Sequence, residues 1–211
     1  MTSEITEEQQ SPTALETLAL TLYDIEAVRF GRFTLPNGKR TPIFIDLRVL
    51  VSYPNALRLV AEAYAGVIST LKFDLLAAYP YAGLPIGVAV SLEMGKPLVY
   101  PRKQVKSFGT GKQVEGVWTV GQKAVLIEDL ITSGKSILEA MATLKAAGLQ
   151  VKDAVVLIDR QQNGVKSLKS QGYNVHTIMN LTRLLTILED HDRITPQRRV
   201  GILRSLGIAF V

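Results

Sequence analysis

From residue 73 onward, short unbroken apolar runs alternate with stretches of helical periodicity. The runs are FDLLAAY (73–79), PLVYP (97–101), KAVLIED (123–129), VKDAVVLID (151–159) and YNVHTIM (173–179). Between them lie GLPIGVAVSLEMG (83–95) and SILEAMATLKAAG (136–148), the latter closed by Gly148. A strand that is apolar on both faces has no side to offer water, so it belongs in a sheet covered above and below. Strands joined through helices run parallel, with right-handed crossovers. The expected fold is an α/β, doubly wound, mainly parallel sheet with helices on both faces.

The residues before 73 add a small helix and hairpin hood. TALETLALTLYDIEAVR (13–29) has helical spacing and follows a Ser-Pro, which predicts one helix across the whole stretch. FGRFTLPNGKRTPIFIDLR holds two apolar segments around Pro-Asn-Gly, a hairpin signal. Residues 54–71, 182–189 and about 195–206 read as further helices, and 102 to about 120 as a polar, basic loop. The chain of 211 residues suits one domain. The expected division is a disordered leader at 1–12 and a single domain at 13–211. Within it, 13–50 form the helix and hood, 54–180 the core and 181–211 the terminal helices.

Composition removes several function classes. The chain has no cysteine and two histidines, which excludes disulfide scaffolds, zinc-thiolate sites and thiol nucleophiles. His176 lies in an alternating strand and His191 in a charged tail, so both read as structural. No apolar run approaches the roughly 18 residues of a membrane span. The opening MTSEITEEQQS is acidic, the opposite of a signal peptide. A soluble, cytoplasmic protein is expected, with no membrane partner. The net charge of +5 nevertheless suits an anionic ligand. Aromatic residues interleave neither with Arg102, Lys103 and Lys106 nor with Arg198 and Arg199, which argues against nucleic acid.

In a doubly wound sheet, ligands bind beyond the carboxyl ends of the strands. The segments there are Tyr79–Gly83, Arg102–Gly116, Glu128–Ser136 and Asp159–Gly164. The sharpest is AVLIEDLITSGKS (124–136), in which an apolar run ends in Glu128-Asp129 and a small-residue loop leads into a helix. Backbone N–H groups at such a helix start attract phosphate. Gly134-Lys135-Ser136 ends like a P-loop, but a P-loop needs glycine where this chain has Asp129. Two carboxylates beside a phosphate cradle suit a ligand carrying both phosphate and hydroxyls, such as a ribose 5-phosphate.

VLIEDLITSGKS resembles the phosphoribosyl pyrophosphate (PRPP) motif of type I phosphoribosyltransferases. FGRFTLPNGKRTPIFIDLR is similar to the hood of the orotate phosphoribosyltransferase family. PRKQVKSFGTGKQVEG resembles that family's mobile catalytic loop, and LIDRQQNG (157–164) its orotate-binding strand end. In detail the chain looks closer to the version fused with a decarboxylase in eukaryotes than to the commonest bacterial form.

The resemblance implies transfer of ribose 5-phosphate from PRPP to N1 of orotate, giving orotidine 5′-monophosphate and pyrophosphate in pyrimidine biosynthesis. It implies Mg²⁺ carried by PRPP, with no direct protein ligand. It also implies a homodimer in which the loop at 102–116 is shared between subunits. Arg102, Lys103 and Lys106 are carried over as the catalytic cations aimed at the leaving pyrophosphate. Glu128 and Asp129 are carried over to the ribose hydroxyls, and Thr132, Ser133, Gly134, Lys135 and Ser136 to the 5′-phosphate. Arg160, Thr132, Phe44 and Ile45 are carried over to orotate. Four places, one of them a dipeptide, depart from the family pattern. Pro36 and Ala82 stand where lysines are common, Phe108 where histidine or tyrosine is frequent, and Ala78-Tyr79 where a glycine is usual. Lys39 or Arg40 is a candidate replacement for the first lysine. Two other readings stay open on sequence grounds: a phosphoribosyltransferase for another base, and a non-catalytic PRPP sensor.

Overall fold

The computed structural model describes residues 12–34, 38, 40–103 and 113–209. The leader up to residue 11, Pro36 and Lys39 in the hood turn, and Lys106 and Phe108 in the basic loop lie outside the described residues.

The chain opens with helix α1, Ala14–Asp24, whose Thr13 and Glu16 form a reciprocal capping box. The helix expected over 13–29 stops five residues early. Glu26 adopts a left-handed φ of 58°, and the chain turns there into strand β1, Val28–Thr34. β1 pairs antiparallel with β2, Arg40–Ile45, and a bulge sits between Phe30 and Phe33. A 3₁₀ turn at Leu47–Ser52 leads into α2, Pro54–Ile68. There follow β3 (Leu75–Ala78), α3 (Gly83–Met94), β4 (Leu98–Pro101), β5 (Val114–Glu115), β6 (Lys123–Ile131) and α4 (Lys135–Ala146). The chain continues with β7 (Gln150–Asp159), α5 (Gly164–Ser170), β8 (Asn174–Asn180), α6 (Leu181–Asp190) and α7 (Pro196–Ser205).

The main sheet has the order β5-β4-β3-β6-β7-β8. β4, β3, β6, β7 and β8 run parallel, and only β5 is antiparallel, so the doubly wound expectation holds. β5 and α5 were not foreseen. β5 is two residues long and exists through its pairing with Tyr100 and Pro101.

Both sheet faces are buried, with alternate residues facing opposite layers. Leu76, Val125, Ile127, Val155 and Leu157 pack with α1, α2, α3 and α6, while Leu75, Ala77, Leu126, Ala154 and Val156 pack with α4. Each such fully buried Val, Leu or Ile contributes about 1.5–3 kcal/mol of apolar burial. After β3 the chain winds outward to β4, and it then returns to place β6 on the other side of β3. This reversal opens a crevice between the carboxyl ends of β3 and β6, the expected place for a ligand.

Candidate active site

β6 does not end at Asp129, as its apolar run suggested. Pairing with β7 continues it, matching Leu130 to Ile158 and Ile131 to Asp159. Glu128 and Asp129 therefore sit on rigid strand backbone, and the small-residue loop is only Thr132–Gly134. Glu128 is 4% exposed. Its Oε1 accepts the Asp129 N–H at 3.2 Å, and its Oε2 is buried with no hydrogen-bond partner among the described residues. Burial pushes the Glu128 carboxyl up to about 9, helped by the adjacent Asp129 carboxylate and opposed by the Asp129 N–H and the Ser136 hydroxyl. The pair thus sets a buried carboxyl beside a second, less buried one, a donor and acceptor set that suits vicinal hydroxyls.

The phosphate-sized position lies one step along. Gly134 has φ 82°, which a residue with a Cβ adopts only at a cost, and it starts α4 with no side-chain cap. The first N–H groups of α4 are left for an anion, on the positive end of the helix dipole. Ser133 is exposed, while Thr132 and Ser136 are half-buried. Lys135 turns to solvent, 3.8 Å from Glu139. A neighbouring turn braces this loop: a Cβ on Gly164 would stand 2.4 Å from the Thr132 carbonyl oxygen.

That turn carries Arg160. Its N–H donates to the Ile131 carbonyl at 3.0 Å, which fixes the end of β7 to the end of β6. The side chain is 8% exposed and Nε has no partner among the described residues. Burial lowers its pKa. A buried guanidinium without an anion is costly, and a planar carboxylate is the group that best matches its fork.

The remaining candidates lie around this centre. The Tyr79 N–H donates to the Ile127 carbonyl at 3.1 Å and opens the segment after β3, which contains a cis Pro80–Tyr81 peptide. Lys103 stands 4.3 Å from the Tyr81 ring centroid and 5.4 Å from that of Tyr79, which holds it over the crevice by cation–π contact. Arg102 is ion-paired with Glu115 on β5. In the hood, Phe44 packs on Phe33 at 5.4 Å and under Arg29 at 5.2 Å, whereas the Ile45 side chain is buried in the main core. The structure thus brings Glu128, Asp129, Thr132–Ser136 and Arg160 together, with Lys103 at the rim. Lys106 lies outside the described residues.

Sequence reasoning overlooked three residues here. The buried Tyr64 donates its hydroxyl to the Glu128 carbonyl at 2.6 Å and pins the strand beneath the carboxylates. Arg48, bidentate on Asp46 at 2.7 and 2.9 Å, is near enough for its charge to act on Asp129. Gln161 ties the Arg160 turn to α6. The IDLR segment offered a signal for Arg48. A tyrosine on an amphipathic helix offers none.

Among the described residues no group of three or more His, Cys, Asp or Glu side chains could hold a metal. The acidic donors in the crevice are Glu128 and Asp129. Mg²⁺ completes its shell with substrate phosphates and water, so an ion delivered on pyrophosphate fits this donor set. No helix among the described residues is long and apolar enough to cross a membrane.

A parallel sheet with a carboxylate pair above an uncapped, glycine-started helix defines an α/β protein with an anion-binding crevice at its strand-order reversal. The phosphoribosyl transferase domain family matches residues 49–177. The chain is 37% identical over 191 residues to an orotate phosphoribosyltransferase of Caenorhabditis elegans, covering 90% of this chain and 84% of that one. It is 36% identical over 188 residues to the bifunctional enzyme PyrF/PyrE of Nostoc, covering 89% of this chain and 39% of that one. The UMP synthase structure of Leishmania donovani superimposes with a TM-score of 0.85 at 42% identity, over 92% of this chain and 42% of that one. The chain thus spans about two fifths of the length of these two longer relatives. It belongs to the phosphoribosyltransferase family, on the orotate phosphoribosyltransferase branch.

Proposed function

We propose that this crevice transfers the ribose 5-phosphate of PRPP to N1 of orotate, yielding orotidine 5′-monophosphate and pyrophosphate for pyrimidine biosynthesis. The C1′–N1 bond forms as the C1′–oxygen bond to pyrophosphate breaks, and the N1 proton passes to the departing pyrophosphate or to water. Positive charge grows on the ribose and negative charge on the leaving group, so cations at the pyrophosphate and exclusion of water lower the barrier. Glu128 and Asp129 hold the ribose hydroxyls, and Thr132–Ser136 with the α4 amides hold the 5′-phosphate. Arg160 takes the orotate carboxylate. The hood, through Phe44 and the Ile45 backbone, closes over the base. Arg102, Lys103 and Lys106 neutralise the pyrophosphate, to which Mg²⁺ adds further positive charge when it is bound.

The observation that carries this reading is Arg160, a buried guanidinium with no anionic partner among the described residues, hydrogen-bonded through its backbone to Ile131 at the end of the Thr132–Gly134 loop. A purine offers it no carboxylate. The homodimer belongs to the same proposal, with loop 102–116 reaching the neighbouring subunit. Val88 and Leu92, one turn apart on α3, are 46% and 80% exposed and offer an apolar face for a second copy. The same proposal extends to a cytoplasmic location.

The test mixes purified protein with PRPP, Mg²⁺ and orotate and follows the loss of orotate absorbance, with uracil, hypoxanthine and adenine in parallel. Orotate-dependent turnover that disappears in Lys106→Ala is expected. Turnover with a purine alone, or PRPP binding without turnover on any base, overturns the assignment.

A further inference from the structure

Gln161 is a half-buried non-glycine residue at φ 56°, immediately after Arg160. Left-handed backbone costs a side-chain-bearing residue about 1 kcal/mol and persists only where its surroundings impose it. Two contacts impose it here. The Gln161 N–H donates to the Asp159 carboxylate at 2.7 Å. The Gln161 side-chain oxygen accepts both the main-chain N–H and the hydroxyl of Thr182, at 2.8 and 2.7 Å. The Thr182 N–H can only donate, so the atom facing it must be an acceptor. Thr182 is in the first turn of α6, and Asn180 caps the Arg183 N–H of the same turn. Gln161 therefore closes a second open donor of α6 from across the sheet.

We propose that Gln161 is a positioning residue for the acceptor base: it holds the turn after β7 so that the Arg160 guanidinium faces the base's carboxylate. The inference rests on the orotate reading above. Among the described residues Arg160 Nε has no partner, so that atom does not set the shape of the turn. Three anchors do, two through the backbone and one through the Gln161 side chain. Arg160 N–H bonds to Ile131, Gly164 packs against Thr132, and Gln161 bonds to α6. The first two link the turn to the phosphoribosyl loop. The third adds a side-chain tie to α6 beyond the pairing of Asp159 with Asn180, so releasing it loosens the Arg160 turn while the PRPP site stays built.

Steady-state kinetics of Gln161→Ala, Gln161→Glu and Gln161→Gly, with each substrate varied in turn, test this. Gln161→Ala should raise KM for orotate about tenfold, the worth of roughly two lost hydrogen bonds, with KM for PRPP within about twofold. Preference for orotate over uracil, which lacks the carboxylate, should fall by a similar factor. Glutamate presents acceptors to both Thr182 donors, so Gln161→Glu should restore KM for orotate. Glycine accommodates φ 56° without strain, so Gln161→Gly should stay folded yet copy the alanine variant. An unchanged orotate KM in Gln161→Ala and Gln161→Gly overturns the inference, as does an equal rise in both KM values or a lack of rescue by glutamate. A wild-type protein that ignores orotate would overturn the function reading and this inference with it.

Discussion

At the amino end of the central sheet, Lys72, Lys123, Lys145 and Lys152 line a cavity of about 550 Å³ with one acid, Asp153. Each of these charges is in water or partnered. Lys145 bonds to the Tyr173 hydroxyl at 2.9 Å and covers its ring, while Asp153 accepts from Asn174 at 2.9 Å and meets His176 at the same distance. At the carboxyl end, Glu128 and Arg160 are buried with polar atoms that have no partner among the described residues. Apolar strands connect both ends, but the lysines of the amino end reach water and Glu128 and Arg160 do not. The difference is that the carboxyl end keeps charge out of water without supplying its partner, which costs stability unless a ligand arrives. An anionic, hydroxylated ligand supplies what both groups lack.

The sharpest way to break this contrast is Arg160→Met. If the guanidinium is kept for a carboxylate, its loss should lower kcat/KM for orotate by about 10² to 10³-fold. The same change removes an unmatched buried charge and adds an apolar side chain of similar length. Folded stability without ligand should hold or rise, by up to about 4 kcal/mol. Urea unfolding and orotate kinetics on one preparation check both halves. A variant that loses stability along with activity would show that Arg160 is an ordinary structural arginine.

Glu128→Gln sharpens the contrast through pH. The folded-state value near 9 lies above the ordinary 4.5, so the folded chain holds a proton there that the unfolded chain has lost. The wild type therefore sheds stability as pH rises from about 4.5 to 9, because the folded state binds more protons. Glutamine has no proton to lose. The Tm advantage of Glu128→Gln over wild type should be small near pH 4.5, grow through neutrality and level off above pH 9. Catalysis should move the other way, with kcat/KM for PRPP falling about tenfold as one ribose contact weakens. A Tm difference that is flat across this range would show that Glu128 is not held protonated by burial.

How legible each end was in the sequence follows from the same physics. The runs over 123–129 and 151–159 read as buried parallel strands because nothing polar interrupts them, and Glu128, Asp129 and the 132–136 loop stood out as the place where that apolarity stops. The true end of β6 at Ile131 was hidden, because Leu130 and Ile131 are strand only through their pairing with Ile158 and Asp159. The early end of α1 was hidden as well. Its stop is Glu26 in a left-handed turn, with no glycine, proline or asparagine to announce it. Tyr64 and Gln161 reach the site through contacts 64 and 21 residues away in sequence, which no local pattern encodes. Arg160 was legible as a strand-end arginine, but its burial was not.

The amino end supplies the smallest expected effect and the control for the others. Lys152 is exposed, lines the cavity and makes no ion pair among the described residues, so Lys152→Ala removes a solvated charge. Stability should change by no more than about 0.5 kcal/mol, the usual range for surface positions without special contacts. Both KM values should stay within about twofold, because exposed charges farther apart than a Debye length of about 8 Å are screened at physiological salt. Repeating the kinetics at low salt separates screening from isolation. An effect that emerges only there would mean that the lysines raise the potential of the whole molecule toward a polyanionic substrate. An effect that persists at physiological salt would mean that the two ends are coupled through the sheet, and that the contrast between them is not one of independent regions.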